Sequence, residues 1–165
     1  LTMTKIAGAI SRAVEESEGG IQSMLDDAAM AVMTLNGGSA VPLWNTWLDG
    51  LQEEAPEGEE IDVAGLKVIF AKALEELEDM SGAKVGDKTM MDALIPASEA
   101  VAAYTGDSAD ELFDAAAQAA AQGAEATKQY VSKFGRAKSY GTKTIGTPDA
   151  GAVSMSWFFQ GLARE

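Results

Sequence analysis

The sequence predicts an all-α protein, folded as an up-down antiparallel helical barrel or bundle. Apolar residues recur every three to four positions through most of the chain, which is the period of one helix face. No stretch of useful length alternates apolar and polar residues, so strands are not predicted. The connections are short, and short connections make consecutive helices antiparallel neighbours. At 165 residues with 47% hydrophobic content, the chain suits one domain, residues 1–165, with a single core.

Seven helices are predicted from this periodicity. The first helix spans about residues 3–16, and the second runs from 21 to a turn at 36–41. The third and fourth span 42–51 and 61–80. The last three run from 87 or 88 to about 104, from 109 to about 133, and from 149 or 150 to about 163. Pro42 fits the first turn of the third helix, where its missing N–H costs nothing. Pro96 is expected to bend the fifth helix. Ser108 and Glu111 have the spacing of a capping box at the start of the sixth.

Composition excludes several classes of function. The chain carries 12 basic and 26 acidic residues, a net charge of −14, so neither nucleic acid nor an anionic membrane is an expected partner. It contains no Cys and no His, so any catalysis must use carboxylates, Arg, Lys, hydroxyls, backbone amides or groups of another chain. No signal peptide or membrane-spanning stretch is visible. A cytoplasmic location is therefore expected.

Three Gly- or Asp-rich turns, at residues 37–42, 86–90 and 148–152, each precede a predicted helix. A helix start offers unpaired N–H groups and a partial positive charge, which together favour a phosphate. Because helices alternate in direction in an up-down bundle, the three turns are expected at the same end. They therefore indicate one phosphate pocket. The alternative is that Gly and Asp simply terminate and cap helices.

Arg136 lies in the connection between the sixth and seventh helices, at the same predicted end. An arginine aimed at a transferring phosphoryl group stabilises the charge on its oxygens. A solvated loop arginine is the alternative. Lys138 and Lys143 add local positive charge. For Lys88 the alternatives are a phosphate contact or a solvated lysine, and for Met90 they are packing on an adenine ring or in the core.

Together these motifs resemble one family, the nucleotide-binding L subunit or C-terminal domain of dihydroxyacetone kinases. The resemblance rests on four segments. They are Gly37-Gly38 with Pro42-Leu43, Gly86-Asp87-Lys88-Thr89-Met90-Met91-Asp92-Ala93-Leu94, Gly135-Arg136-Ala137, and Asp149-Ala150-Gly151-Ala152. The second is the most specific. The resemblance implies an eight-helix antiparallel barrel, of which about seven helices are present, holding ADP or ATP and Mg²⁺ at one end.

The resemblance also implies which residues bind the nucleotide. They are Leu1, Thr2, Gly37, Gly38, Ser39, Ala40, Ser81, Gly82, Met90, Arg136, Asp149, Ala150 and Gly151. Ser39 and Ala40 would lie at the phosphates, and Met90 would border the base. Arg136 would also be catalytic, assisting phosphoryl transfer.

The sequence departs from the family pattern in two ways. The family's acidic metal loop would immediately precede Leu1, so metal ligands are expected upstream and none in this chain, and the domain is expected to be N-terminally incomplete. Ala40 replaces a usual Ser or Thr, Val41 a usual Gly, and Ala150 a frequent Pro, which indicates a divergent subgroup.

The resemblance implies an ADP- or ATP-binding subunit or domain of a dihydroxyacetone-type kinase, which with Mg²⁺ transfers a phosphoryl group to a hydroxyl of a short ketose. Its implied partners are a sugar-binding kinase subunit or domain, whose His anchors the ketone, and in one mode of the family a phosphotransferase-system protein that donates the phosphoryl group. Two alternatives stay open: a non-catalytic module of the same fold that binds nucleotide or a partner, and a plain helical interaction protein.

Overall fold

The computed structural model describes residues 2–164, and this range is helical without strands. Its α-helices are α1 (Thr2–Glu16), α2 (Ile21–Met33), α3 (Ala40–Glu53), α4 (Val63–Ser81), α5 (Met91–Ala103), α6 (Ala109–Ala126) and α7 (Ala150–Ala163). Two 3₁₀ helices, Thr127–Gln129 and Arg136–Thr144, lie between α6 and α7. The all-α prediction is confirmed. Within residues 2–164, no helix combines the length and apolar character needed to cross a bilayer.

The chain divides into two compact units, the first ending at Ser81 and the second beginning at Gly82. In the first unit each helix packs on the next one along the chain, and α1 also contacts α3. Trp44 and Trp47 of α3 are fully buried and meet edge to face, with ring centroids 5.8 Å apart. Such a pair contributes large apolar area and a defined geometry, so α3 organises the core of this unit.

In the second unit α5, α6 and α7 all contact one another. Buried Met91, Leu112 and Phe159 place one core residue from each helix between them. A Cβ at Gly123 would lie 2.1 Å from the carbonyl oxygen of Asp92, so α6 approaches the first turn of α5 more closely than any other residue type would allow. The expectation of a single domain across residues 1–165 stays a prediction.

Two helix boundaries differ from the sequence prediction. Helix α5 begins at Met91 and not at Asp87 or Lys88, because the preceding residues form a hydrogen-bonded turn. Helix α6 ends at Ala126 and not near Lys133, because the chain tightens into a 3₁₀ turn at Thr127, whose hydroxyl donates to the carbonyl of Ala124. The predicted loop after Gly135 is largely 3₁₀ helix, interrupted at Gly141 by a positive φ of 54°. Pro96 lies inside α5 without ending it.

The start of α6 modifies the predicted capping box. The Ser108 hydroxyl accepts from the Glu111 amide at 3.3 Å, as expected. The reciprocal bond is relayed through Tyr104, whose hydroxyl donates to the Glu111 carboxylate at 2.9 Å and accepts from the Ser108 amide at 3.1 Å. The same two donors are therefore satisfied, with a tyrosine inserted between the two residues.

Candidate functional site

The start of α3, in the first unit, is open to solvent. Ser39 is its N-cap residue, but the Ser39 side chain makes no capping hydrogen bond. Within the described residues the amides of Gly38, Ser39 and Ala40 have no hydrogen-bond acceptor, and the first paired amide is that of Val41, which donates to the Gly38 carbonyl at 3.2 Å. The helix therefore keeps free donors on an exposed turn, the arrangement that binds anions.

The beginning of α1 lies against this turn. A Cβ built at Gly37 would come within 2.9 Å of the Thr2 methyl carbon and 2.8 Å of a Val41 methyl carbon. Thr2 and Gly37, both predicted to bind nucleotide, are therefore neighbours. Leu1, predicted beside them, lies outside the described residues.

The start of α5, in the second unit, is closed by a carboxylate. Asp92 is 1% exposed, and its two oxygens accept from the amides of Gly86 and Thr89, each at 2.7 Å. The Thr89 hydroxyl accepts from the Met91 amide at 3.1 Å. Thr89 and Asp92 thus form a variant of the capping box, in which the Thr89 hydroxyl accepts from the Met91 amide. Side-chain oxygens therefore occupy the amides of Gly86, Thr89 and Met91.

Asp87, in the same turn, is partly buried, with 16% of its side chain exposed. Its carboxylate accepts from the Lys84 amide at 2.9 Å and forms an ion pair with Lys133 at 3.1 Å. The pKa of Asp87 is lowered, first by the Lys84 hydrogen bond and then by the bond from Lys133. Asp87 is therefore a structural anion that fixes the loop.

The start of α7 is capped by Asp149, whose carboxylate accepts from the Ala152 amide at 2.9 Å. The Asp149 amide in turn donates to the hydroxyl of buried Thr127 at 2.8 Å. The pKa of Asp149 is raised, chiefly by burial and further by the charge of Asp92, against the lowering effects of the Ala152 and Gly151 amides and of Lys88. A side-chain carboxylate therefore occupies a donor at this helix start as well.

The second and third predicted turns meet. A Cβ at Gly151 would lie 3.3 Å from the Met90 Cβ and 3.4 Å from the Met90 amide nitrogen, so glycine lets the start of α7 approach the start of α5. Met90 is 4% exposed. Ala150, beside them, is exposed. Within the second unit the structure therefore brings together Met90, Asp149, Ala150 and Gly151.

Lys88 is buried, not solvated. It is 5% exposed, and among the described residues it is the one non-glycine residue with a positive φ, 63°. Its ammonium donates to the carbonyls of Thr144 and Thr147. Lys88 thus ties the turn before α5 to the chain before α7.

Arg136 is exposed at the start of the second 3₁₀ helix, following Gly135 with a φ of 64°. Its carbonyl accepts from the Ser139 hydroxyl at 2.9 Å, whereas its guanidinium is in no ion pair with a described residue. Residues 126–148 contain no acidic residue. The guanidinium is thus available to an external anion.

Ser81 and Gly82 mark the end of α4. Ser81 is its last residue, and Gly82 follows with a φ of 66°, the left-handed conformation that commonly terminates a helix. This position explains the glycine without any ligand.

Sequence analysis assigned no role to Asp92 or Thr127. The Thr89-x-x-Asp92 spacing could have indicated the first, since it is a capping-box pattern. No local signal indicates Thr127, whose bond to the Asp149 amide joins residues 22 positions apart. Within residues 2–164 no group of three or more acidic side chains is placed to hold a metal ion.

Comparisons with known proteins point to one family. The family model described as the DAK2 domain matches residues 1–164. The L-erythrulose kinase of Pectobacterium atrosepticum is 35% identical over 96% of this chain and 28% of its own length. The ADP-binding subunit DhaL of PEP-dependent dihydroxyacetone kinase 1 of Listeria innocua is 28% identical over 99% of this chain and 78% of its own.

Two crystal structures have the same fold. The native dihydroxyacetone kinase of C. freundii superposes with a TM-score of 0.72 at 23% identity, covering 98% of this chain and 28% of that one. The complex of the C. freundii enzyme with AMP-PNP and Mg²⁺ gives 0.62 at 25% identity, covering 87% and 23%. The chain spans 25–28% of the length of the erythrulose kinases it matches. It belongs to the DAK2 domain family, the nucleotide-binding L-subunit or C-terminal-domain family of dihydroxyacetone kinases.

Proposed function

We propose that this chain is the ADP- or ATP-binding subunit or domain of a dihydroxyacetone-type kinase, which transfers a phosphoryl group to a hydroxyl of a short ketose. Family membership supports the reaction class. The observation that carries the nucleotide assignment is the uncapped start of α3, where three consecutive amides lack an acceptor among the described residues.

The α3 start suits phosphate for three reasons. Its amides point from a helix N-terminus, where the backbone carries partial positive charge. No side-chain oxygen competes for them, because Ser39 does not cap. Gly38 leaves space, since a Cβ there would meet nothing within 4 Å. We therefore assign the phosphates to the amides of Gly38, Ser39 and Ala40, with Thr2 and Gly37 forming the adjacent wall.

The remaining predicted residues keep their roles within the proposal. Arg136 is proposed to bind the transferring phosphoryl group, because its guanidinium is exposed and lies in a segment without acidic residues. Met90, Asp149, Ala150 and Gly151 are proposed to border the nucleotide, as are Ser81, Gly82 and Leu1. Mg²⁺ holds phosphates in this chemistry, and it is assigned no ligand in residues 2–164, where no acidic cluster occurs.

The proposed partner is the sugar-binding subunit or domain of the kinase. The chain has no histidine, so the family's ketone-anchoring His would come from that partner. A phosphotransferase-system protein is the proposed second partner if the bound nucleotide is recharged in place. We propose the cytoplasm as the compartment, where ATP and short ketose substrates meet.

Binding calorimetry on the full-length protein tests the nucleotide site. Gly38→Asp places a carboxylate beside the free amides, and it should weaken binding of ADP or ATP with Mg²⁺ by about tenfold or more, because like charges a few ångströms apart at a surface repel by about 1–4 kcal/mol. Gly38→Asn, with the same shape and no charge, is the matched control and should bind nucleotide clearly more tightly than Gly38→Asp. Equal affinities for Gly38→Asp and Gly38→Asn would remove the phosphates from this turn.

A non-catalytic nucleotide-binding module is the second candidate. Ala40 and Val41 favour it, since they stand where the family usually has a hydroxyl and a glycine. In that case the full-length protein would bind nucleotide with Mg²⁺ but transfer no phosphoryl group to dihydroxyacetone or erythrulose in the presence of its sugar-binding partner.

A further inference from the structure

Lys88 has an environment that a loop lysine does not usually have. Its ammonium is buried and donates to the carbonyls of Thr144 and Thr147, across 56 and 59 residues of chain. Its backbone adopts the left-handed conformation, which is unfavourable for a side chain with a Cβ and persists where the surroundings demand it. The bonds made by the ammonium are therefore a specific feature of the fold.

The residues that Lys88 holds have little else to hold them. The 3₁₀ helix Arg136–Thr144 contains no buried residue, so apolar packing does not fix it. Besides Lys88, the neighbouring chain is tied by the Gly146 amide to the Lys128 carbonyl at 2.7 Å and by the Ser132 amide to the Thr144 hydroxyl at 3.1 Å. A segment with few apolar contacts opens easily unless its hydrogen bonds are strong, and bonds from an ammonium are the stronger kind.

The charge of Lys88 is compensated by backbone carbonyls and by a nearby carboxylate. The Thr144 carbonyl lies at the end of a 3₁₀ helix, where the backbone carries partial negative charge. The carboxylate of Asp149 is within electrostatic range of the ammonium. Removing the ammonium would leave the two carbonyls without these hydrogen bonds.

We infer that Lys88 is a positioning residue, whose ammonium fixes residues 144–147 onto the turn before α5 and thereby holds the segment that carries Arg136. The role of Arg136 in phosphoryl transfer rests on the proposed function. The role of Lys88 in fixing the segment does not rest on the proposed function. The two roles are therefore tested by separate measurements.

Hydrogen exchange followed by mass spectrometry tests the holding. In Lys88→Met, which keeps the length of the side chain without its charge, the amides of Lys138, Ile145 and Gly146 should exchange about tenfold faster or more, while α1–α4 stay unchanged. Lys133→Met is the control, because it removes an ion pair to the same turn from a side chain that is 62% exposed. Lys88→Arg should restore slow exchange. Unchanged exchange in a folded Lys88→Met would overturn the inference.

A double-mutant cycle tests the link to Arg136. In a coupled kinase assay on the full-length protein with its sugar-binding partner, Arg136→Ala should lower kcat by about 10³-fold. Lys88→Met should lower kcat with little change in nucleotide Kd, and adding it to Arg136→Ala should cost almost nothing further. Independent, multiplying losses would overturn the link. Faster exchange in Lys88→Met with no kinase activity in the wild type would support the holding and overturn the proposed function.

Amine labelling of the wild-type protein gives a result even where Lys88→Met does not fold. Lys88 should react far more slowly with a water-soluble acylating reagent than exposed Lys138, because its ammonium is buried and hydrogen-bonded. Equal rates for the two lysines in the folded protein would overturn the inference.

Discussion

The starts of α3 and α7 look alike in sequence and differ in structure. Each follows a turn of small residues, and each offers helix amides at its N-terminus. At α7 the Asp149 carboxylate accepts from the Ala152 amide, whereas at α3 the Ser39 side chain accepts from none. The comparison shows that the side chain at the cap, and not the turn, decides whether a helix start is part of the scaffold or free to bind a ligand.

The start of α5 resembles the start of α7, because a carboxylate accepts hydrogen bonds from backbone amides at both. At α5 the buried Asp92 carboxylate accepts from the amides of Gly86 and Thr89, so a phosphate at those two amides would have to displace it. Of the three turns that indicated a phosphate pocket, the one before α3 is the one whose amides have no side-chain acceptor among the described residues. In each of the other two, a carboxylate of the same chain already accepts from helix-start amides.

The largest loss of stability should come from replacing the Asp92 carboxylate that accepts from the turn before α5. Asp92→Asn keeps the shape, but its amide group turns one N–H donor toward a backbone N–H. The loss of one charged hydrogen bond and the unsatisfied donor should together lower the free energy of unfolding by about 2–4 kcal/mol, measured by urea denaturation. Asp114→Asn, at an exposed position of α6, is the control and should change stability by less than about 0.5 kcal/mol. A loss no larger than that of the control would mean that Asp92 does not close the turn.

Sequence analysis predicted this molecule well where interactions are local. Three-to-four periodicity identified seven helices, and Asp149 was correctly placed at the start of the last one, because both signals lie within a few residues of chain. The start of α5 was predicted too early because the Thr89-x-x-Asp92 pattern was overlooked. Lys88 and Thr127 could not be assigned, since their partners lie 56–59 and 22 residues away, and only the packed fold shows which carbonyl or amide they meet.

A smaller change in stability should separate two effects of the Asp149 side chain, the capping of α7 and the cost of its buried charge. Asp149→Ala removes the cap and should cost about 1 kcal/mol of unfolding free energy. Asp149→Asn retains a good cap without the buried charge, so at pH 7 it should be as stable as the wild type or more stable.

The pH dependence of stability shows whether the buried charge of Asp149 stabilises or destabilises the folded protein. Burial raises the pKa of Asp149 in the folded protein above its ordinary value of 3.8. The native state therefore holds the proton more tightly, so this contribution to stability is complete below pH 3.8 and is lost as pH rises through the raised pKa. The advantage of Asp149→Asn over wild type should be largest at pH 7 and vanish near pH 3. An advantage that grows on acidification would contradict a raised pKa.

The smallest effect compares the same substitution at the two helix starts. At Gly38 an added Cβ meets nothing within 4 Å and φ is not positive, so Gly38→Ala should stabilise by about 0.4–1 kcal/mol through the unfolded chain. At Gly151 the added Cβ would lie 3.1 Å from the Asp149 carboxylate and 3.3 Å from buried Met90. Crowding there should outweigh the gain in helix propensity, giving a net loss of about 1 kcal/mol. Opposite signs in thermal unfolding would show that α3 begins in open space while α7 begins against α5, and equal signs would remove that difference.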